Sequence, residues 1–411
     1  MITEQNLKEY FKQHNYDLRK SHNSRWIDQK CTPDLTWSIA DLVLDYVDNF
    51  ENVFTTKNIW ESEYAKQTIA ETYSKPGTDE KKAAAEYNKF FGQPLCMLCY
   101  AGIIEDVSTS SRHIYKVSDR NVLEYIARND KNALRFLCFY IEKVLSDSGL
   151  MEIFNEFFAN QDKEHFYAMK QKFSEFYHKY TPVKKEYEPN RIFAKVLNPL
   201  AFKRSKKGTK SGRLSSDIIK KSDMMYNRDN FRDVYRNKPK GMTRKEWLEK
   251  NPDIKINDGY FVQVMARSKK LLKKLIYDSR NGISELTQFS DDQNDMERAS
   301  QMHHIFPKNE FPEIMHYVEN LIALTPNQHY CFAHPNNDTR VIDVAAQKEL
   351  LIAKTCSIEE NLTNSSEDSI YDFGEFLIVL STGWDDKSVL EISDGDYEDV
   401  IHSINYHYNE Y

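Results

Sequence analysis

Cysteine is scarce in this chain: six residues among 411, scattered too widely to form a disulfide framework, a pattern that fits the reducing cytoplasm. No stretch of 18 consecutive apolar residues occurs, so no membrane span is expected. The opening Met1-Ile2-Thr3-Glu4-Gln5-Asn6 lacks a basic start followed by an apolar segment, so no secretion signal is expected either. A Walker pattern is absent, which argues against a nucleoside triphosphate site, and no internal repeat or low-complexity tract is present. The one CxxC pair, Cys96 and Cys99, lies in the apolar helical run Pro94 to Tyr100 and reads as buried thiols rather than as a zinc or redox centre.

What is present begins with enough apolar material for real cores, 40% of the residues, and a length that suggests two to three domains. The net charge of −7 conceals a strong asymmetry. Between Thr181 and Lys274 there are 26 Lys and Arg against 10 Asp and Glu, whereas Ser357 to Tyr411 carries 14 acids against the single base Lys387. The middle is therefore a candidate surface for a polyanion, and the tail should repel one. The densest basic part runs from Lys203 to Ser215 and contains Lys203, Arg204, Lys206, Lys207, Lys210 and Arg213. Glycines spaced among cations, Ser and Thr let backbone N–H groups and ammonium groups approach phosphates closely. The segment reads as a basic loop following a linker at 181–189.

The chemistry concentrates further on. Five of the twelve histidines, 303, 304, 316, 329 and 334, fall within 32 residues. Neutral imidazoles bind transition metals, and one more at hydrogen-bonding distance can take a proton from water. The spacing is a His pair, then Asn320 sixteen residues after His304, then His329 nine residues later. This order reads as strand, loop, strand, helix. It resembles the HNH, or ββα-metal, nuclease motif. The phrase Leu324-Thr325-Pro326-Asn327-Gln328-His329 is similar to the same corner of colicin-type DNases, and His303-His304-Ile305-Phe306-Pro307 resembles phrases in type II restriction endonucleases that use the motif. The resemblance implies His303 as a metal ligand, His304 as general base, Asn320 as a brace of the loop and His329 as a helix ligand. It also implies one divalent ion, Mg2+ in the cell with Mn2+, Ni2+ or Zn2+ as substitutes, and products with 5′-phosphate and 3′-hydroxyl ends.

One departure from that pattern concerns His334, five residues after His329 instead of four. On an α-helix, residues five apart diverge by about 140°. His334 is then a ligand only if the helix ends or bulges first, with Asn336 or Asn337 as the alternative. His316 occupies no position of the motif.

The N-terminal third reads as helical, with a helix over Asp34 to Val47, an extended entry to a second near Phe54 to Trp60, and a third over Lys81 to Tyr100 interrupted at Gly92 and Pro94. A hairpin is expected from 102–107 and 113–117, around Ser108 to Arg112. Three helices followed by such a hairpin resemble a winged helix. That likeness implies DNA contacts from Lys81, Lys82, Asn88 and Lys89 on the third helix and from Arg112 at the wing. Aromatic-rich helices fill the stretch from Asn121 to Tyr180 and read as core.

The expected architecture is mainly α with small β elements, an α+β chain. Its parts are a winged-helix-like DNA-reading domain (1–130), an aromatic helical segment (131–180), a basic backbone-binding segment (181–275), an HNH nuclease domain (276–356) and an acidic C-terminal segment (357–411). The expected function is a sequence-specific type II restriction endonuclease acting on double-stranded DNA as a homodimer, with a cognate DNA methyltransferase encoded nearby and no membrane partner. Two alternatives stand beside it: an anti-phage or modification-dependent effector nuclease, and a winged-helix regulator with an inactive nuclease fold.

Overall fold

A computed structural model describes residues 4–73, 83–226, 239, 242, 244–252, 258–286, 298–334, 342–364 and 369–408. The chain is mainly helical, with three small antiparallel sheets among the described residues. It divides into two compact units, Met1–Arg228 and Asp229–Tyr411. No helix among the described residues is long and apolar enough to cross a membrane.

In the first unit, the helix Pro33–Asn49 begins with Pro in its first turn, where the missing N–H costs nothing. The expected third helix is two: Ala83–Phe90 and Gly92–Tyr100. The strands Ile104–Asp106 and Tyr115–Val117 pair as a hairpin, and Val53–Phe54 adds to the outer side of Tyr115–Val117. The aromatic stretch is core: Phe136, Tyr140, Phe154, Phe157 and Phe166 are fully buried on the helices Asp130–Asp147, Met151–Asn160 and Lys163–Tyr180.

The stretch expected as a linker and basic loop is largely ordered structure. A helix, Tyr187–Lys203, starts inside the expected linker with Pro189 in its first turn. The strands Lys207–Lys210 and Arg213–Ile218 then pair around Ser211 and Gly212, both at positive φ (51° and 76°). Two such residues make the type I′ turn that matches strand twist. Asn198 pins this hairpin to the helix through both Thr209 backbone groups, at 2.8 and 3.0 Å. Gly208 has to be glycine there, since a Cβ would lie 2.6 Å from the Asn198 Oδ1.

The second unit has its own core, built on the paired strands Gln301–His304 and Leu321–Leu324. Leu321 to Leu324 is buried at every position, as a strand covered on both faces must be. The helix Asp258–Ser279 packs on both strands, and Val344–Thr363 packs on the turn that follows them. Phe373, Phe376 and Leu380 of Phe373–Trp384, and Val400 and Ile404 of Tyr397–Tyr408, complete the core. The acidic 357–411 region is thus part of this unit and not a separate segment, because its apolar face buries while acids such as Glu359, Glu360, Glu391 and Asp394 face outward. The unit boundary likewise falls inside the expected 181–275 segment.

A buried polar group braces the second strand. Glu285 accepts from the Ala323 N–H at 2.7 Å and donates its own N–H to the Ala323 carbonyl at 3.1 Å. Lys354, fully buried, binds the same carboxylate at 2.8 Å and the Tyr371 hydroxyl at 2.8 Å. Burial pushes the Lys354 ammonium down from its ordinary range, and the Glu285 carboxylate opposes that shift.

Candidate metal centre

His303 lies on the strand Gln301–His304 in register with Ile322, its side chain buried. The chain then loops through 305–320 and returns as the second strand. Asn320 holds the two ends of this loop together. Its Oδ1 accepts from the Phe306 N–H at 2.8 Å, and its Nδ2 donates to the carbonyls of Phe306 at 3.0 Å and Ile314 at 3.3 Å. The side chain is wholly buried, and its donors and acceptor each meet a backbone partner.

After the second strand, Thr325-Pro326-Asn327-Gln328 starts the helix that carries His329. Gln328 N–H donates to Thr325 Oγ1 at 3.2 Å, and Thr325 N–H donates to Gln328 Oε1 at 3.0 Å. This reciprocal pair is a capping box, with Pro326 just inside it. The helix then loosens into a π-helix, Gln328–Ala333, and His334 follows in extended conformation. In a π-helix the bonding runs from i to i+5, which brings residues five apart onto one side. The five-residue interval that an α-helix would splay is therefore accommodated, and His334 joins His329.

His303, His329 and His334 form a triangle. Their ring centroids are 5.0, 5.0 and 4.9 Å apart, with planes crossing at 77°, 78° and 80°. One nitrogen from each lies within 4.8 Å of the others. Tetrahedral zinc with bonds of ~2.0–2.1 Å needs donors about 3.4 Å apart, so side-chain shifts of about an ångström close the group on an ion. The buried His303 Nε2 and His329 Nδ1 have no hydrogen-bond partner among the described residues. Such orphaned nitrogens are costly unless something fills the triangle. The donors therefore fit a metal ion.

Burial pushes the His303 imidazole down to about 2, and the neighbouring imidazoles push in the same direction. His329 is lowered by burial and then by His334. Neutral imidazole is the form that ligates.

His304 faces different surroundings. Its Nε2 lies 3.0 Å from the Met315 carbonyl, which can only accept, so Nε2 carries the proton and Nδ1 the lone pair. Burial, and after it the ammonium groups of Lys269 and Lys308, push this imidazole down to about 4. Lys269, half-buried on Asp258–Ser279, is itself lowered by burial and by Lys308. Neither lysine stands out in the sequence, because neither belongs to a spaced motif. The next residue to Met315, His316, receives Ser268 Oγ on its carbonyl at 2.5 Å.

No protein-family model, curated protein or solved structure compared with this chain matches it.

The basic residues distribute unevenly. Lys203 and Arg204 both pair with Glu142, at 2.8 and 2.6 Å, and Lys210 pairs with Asp223 at 2.9 Å. Lys206 and Lys207 are half-buried and Arg213 is exposed on the hairpin. Asn88, Lys89 and Arg112 are exposed in the first unit. Lys81, Lys82, Asn336 and Asn337 lie outside the described residues.

Proposed function

We propose that this chain is a metal-dependent DNA endonuclease of the HNH class. The observation that carries the reading is the convergence of His303 from a strand with His329 from the following helix and His334 just beyond its end, beside a neutral His304 with its proton tied to Met315. Among HNH enzymes the reading is a sequence-specific type II restriction endonuclease acting as a homodimer, with a partner methyltransferase protecting the host. Cutting both strands at one site requires two such centres, which a symmetric dimer supplies.

Three imidazoles are a donor group suited to Zn2+, Ni2+ or a related transition ion; Mg2+ prefers oxygen. An ion held there supplies Lewis-acid stabilisation of the phosphoryl and leaving oxygens. His304 presents its free Nδ1 as acceptor of a proton from the attacking water. Burial, and after it Lys269 and Lys308, keeps that nitrogen unprotonated before substrate arrives, and the charge of a phosphodiester would offset the two lysines. Asn320 fixes the loop that contains Met315, and through it the His304 tautomer.

In the first unit, the strand order places Val53–Phe54 beside Tyr115–Val117, with Ile104–Asp106 on its other side. Helix, strand, helices and hairpin in that order support a winged-helix-like DNA-reading part. The second reading, an effector nuclease that senses altered DNA, is favoured by a cationic cleft in this unit.

Plasmid digestion with Zn2+, Ni2+, Mn2+ or Mg2+ tests the proposal. Discrete bands with one repeated sequence at their ends are expected, lost in His304→Ala although metal binding persists. Cutting by H304A at near wild-type rate would remove His304 from the mechanism. A smear would favour the effector, and no cutting with any ion the inactive regulator.

A further inference from the structure

The first unit contains a cleft of about 1240 Å³ that lies wholly within it. Eight of the residues lining it are Lys or Arg, against two carboxylates, Asp28 and Glu188. Some of these cations are already engaged: Arg25 pairs with Asp28, and Lys57 with Glu61 at 3.4 Å. Lys89, Lys184, Lys185 and Arg191 make no ion pair among the described residues. They come from separate walls, Lys89 from the end of Ala83–Phe90 and the other three from the segment leading into and along Tyr187–Lys203. Arg112 and His113 approach from the hairpin tip. Lys185 and Arg191 lie over the Tyr187 ring, at 5.8 and 4.8 Å from its centroid, but like charges held together without counter-charges raise the energy of the empty cleft, and an anion relieves it.

The lining is not uniformly charged. Tyr115, Tyr177 and Ile192 contribute buried apolar surface, and Cys96 lies beside them. His113, tied to Asp106 at 2.5 Å, stacks over Tyr115 with centroids 5.8 Å apart and planes 14° apart. A cationic groove with an exposed ring in its wall, here His113, is the arrangement that holds nucleotides by phosphate and by base face. Elements that read duplex DNA project outward into a groove. Here Asn88, Lys89, Ser111 and Arg112 line a concavity.

We propose that this cleft binds unpaired nucleotides of a nucleic-acid strand, their phosphates on Lys89, Lys184, Lys185 and Arg191 and a base on the exposed His113 ring, which Tyr115 backs. The choice of nucleic acid rests on the nuclease reading; the charge and shape of the site do not. An unpaired stretch arises where a nucleotide is extruded from a duplex, so the cleft gives the chain a means of inspecting a base that the metal centre does not touch.

The full-length chain in EDTA, which prevents cutting, is titrated with fluorescein-labelled dT8 and with a labelled blunt hairpin duplex, followed by anisotropy. Lys184→Glu with Arg191→Glu should weaken dT8 binding at least about tenfold and flatten its log-log salt slope by about 1.4, two phosphate contacts' worth. The duplex should be affected much less. Lys89→Glu with Arg112→Glu, on the facing walls, should reproduce the loss, and unchanged circular dichroism should accompany both. Equal losses on both probes would overturn the proposal in favour of a general duplex surface. Displacement of dT8 by dTMP at equal nucleotide concentration would overturn the strand in favour of a free nucleotide. Plasmid cutting by a chain that does not bind dT8 would refute the cleft alone, whereas dT8 binding by a chain that never cuts would refute the nuclease alone.

Discussion

Replacing Asn320 by alanine removes three hydrogen bonds from a fully buried position, those to the Phe306 N–H and to the carbonyls of Phe306 and Ile314. Each bond contributes ~0.5–1.5 kcal/mol net, and a buried N–H left without a partner costs ~1–3 kcal/mol. The second unit should therefore lose ~2–4 kcal/mol of stability. For a unit of this size each kcal/mol lowers the midpoint by about 2–4 °C, so a fall of ~5–15 °C is expected in a thermal melt followed by circular dichroism. Asn320→Asp should do no better, since a carboxylate cannot donate to either carbonyl. Because Met315 belongs to the braced loop and the three ligands do not, cleavage should fall by more than metal affinity does. A change within about 0.5 kcal/mol, the range of ordinary surface substitutions, would refute the assignment of Asn320 as the brace.

Three more outcomes are expected. His303→Ala, His329→Ala and His334→Ala should each weaken zinc binding by roughly tenfold or more in calorimetric titration, and chelator should abolish cutting until an ion is restored; unchanged affinity in H334A would mean that the π-helix does not deliver that ligand. On the basic hairpin, charge reversal at Lys206, Lys207 and Arg213 should flatten the salt dependence of duplex binding by about one unit per lost phosphate contact, whereas Lys203→Glu should chiefly lower the melting point, because it sets a second acid face to face with Glu142. Lys354→Met should destabilise by about 3–5 kcal/mol, the cost of leaving the buried Glu285 charge without its partner; a melt indistinguishable from wild type would mean that this ion pair does not brace the strand.

The convergence of His303 and His329 was legible in the sequence because a pair on a strand, a braced loop and a helix leave a readable interval. The role of His334 was not, since an α-helix splays residues five apart and nothing in Gln328 to Ala333 announces a π-helix. For the basic stretch the error ran the other way. Lys203 and Arg204 look like a free surface, yet their partner Glu142 lies some sixty residues earlier, and such pairing leaves no local trace. The hairpin did leave one, Ser211-Gly212 between alternating residues, and so did the helix start at Pro189. Neither Lys269 nor Lys308 carries any signal, because only packing brings them near His304.

The wide turn between His329 and His334 bears on how this centre tolerates change in chain length. Losing one residue from Tyr330 to Ala333 would let the helix relax to ordinary α geometry, in which an interval of four again aligns the pair. Both lengths thus keep the two imidazoles together, while gaining a residue would carry His334 away from His329. Relative to an interval of four, the extra residue in this turn is thus nearly silent for the two imidazoles.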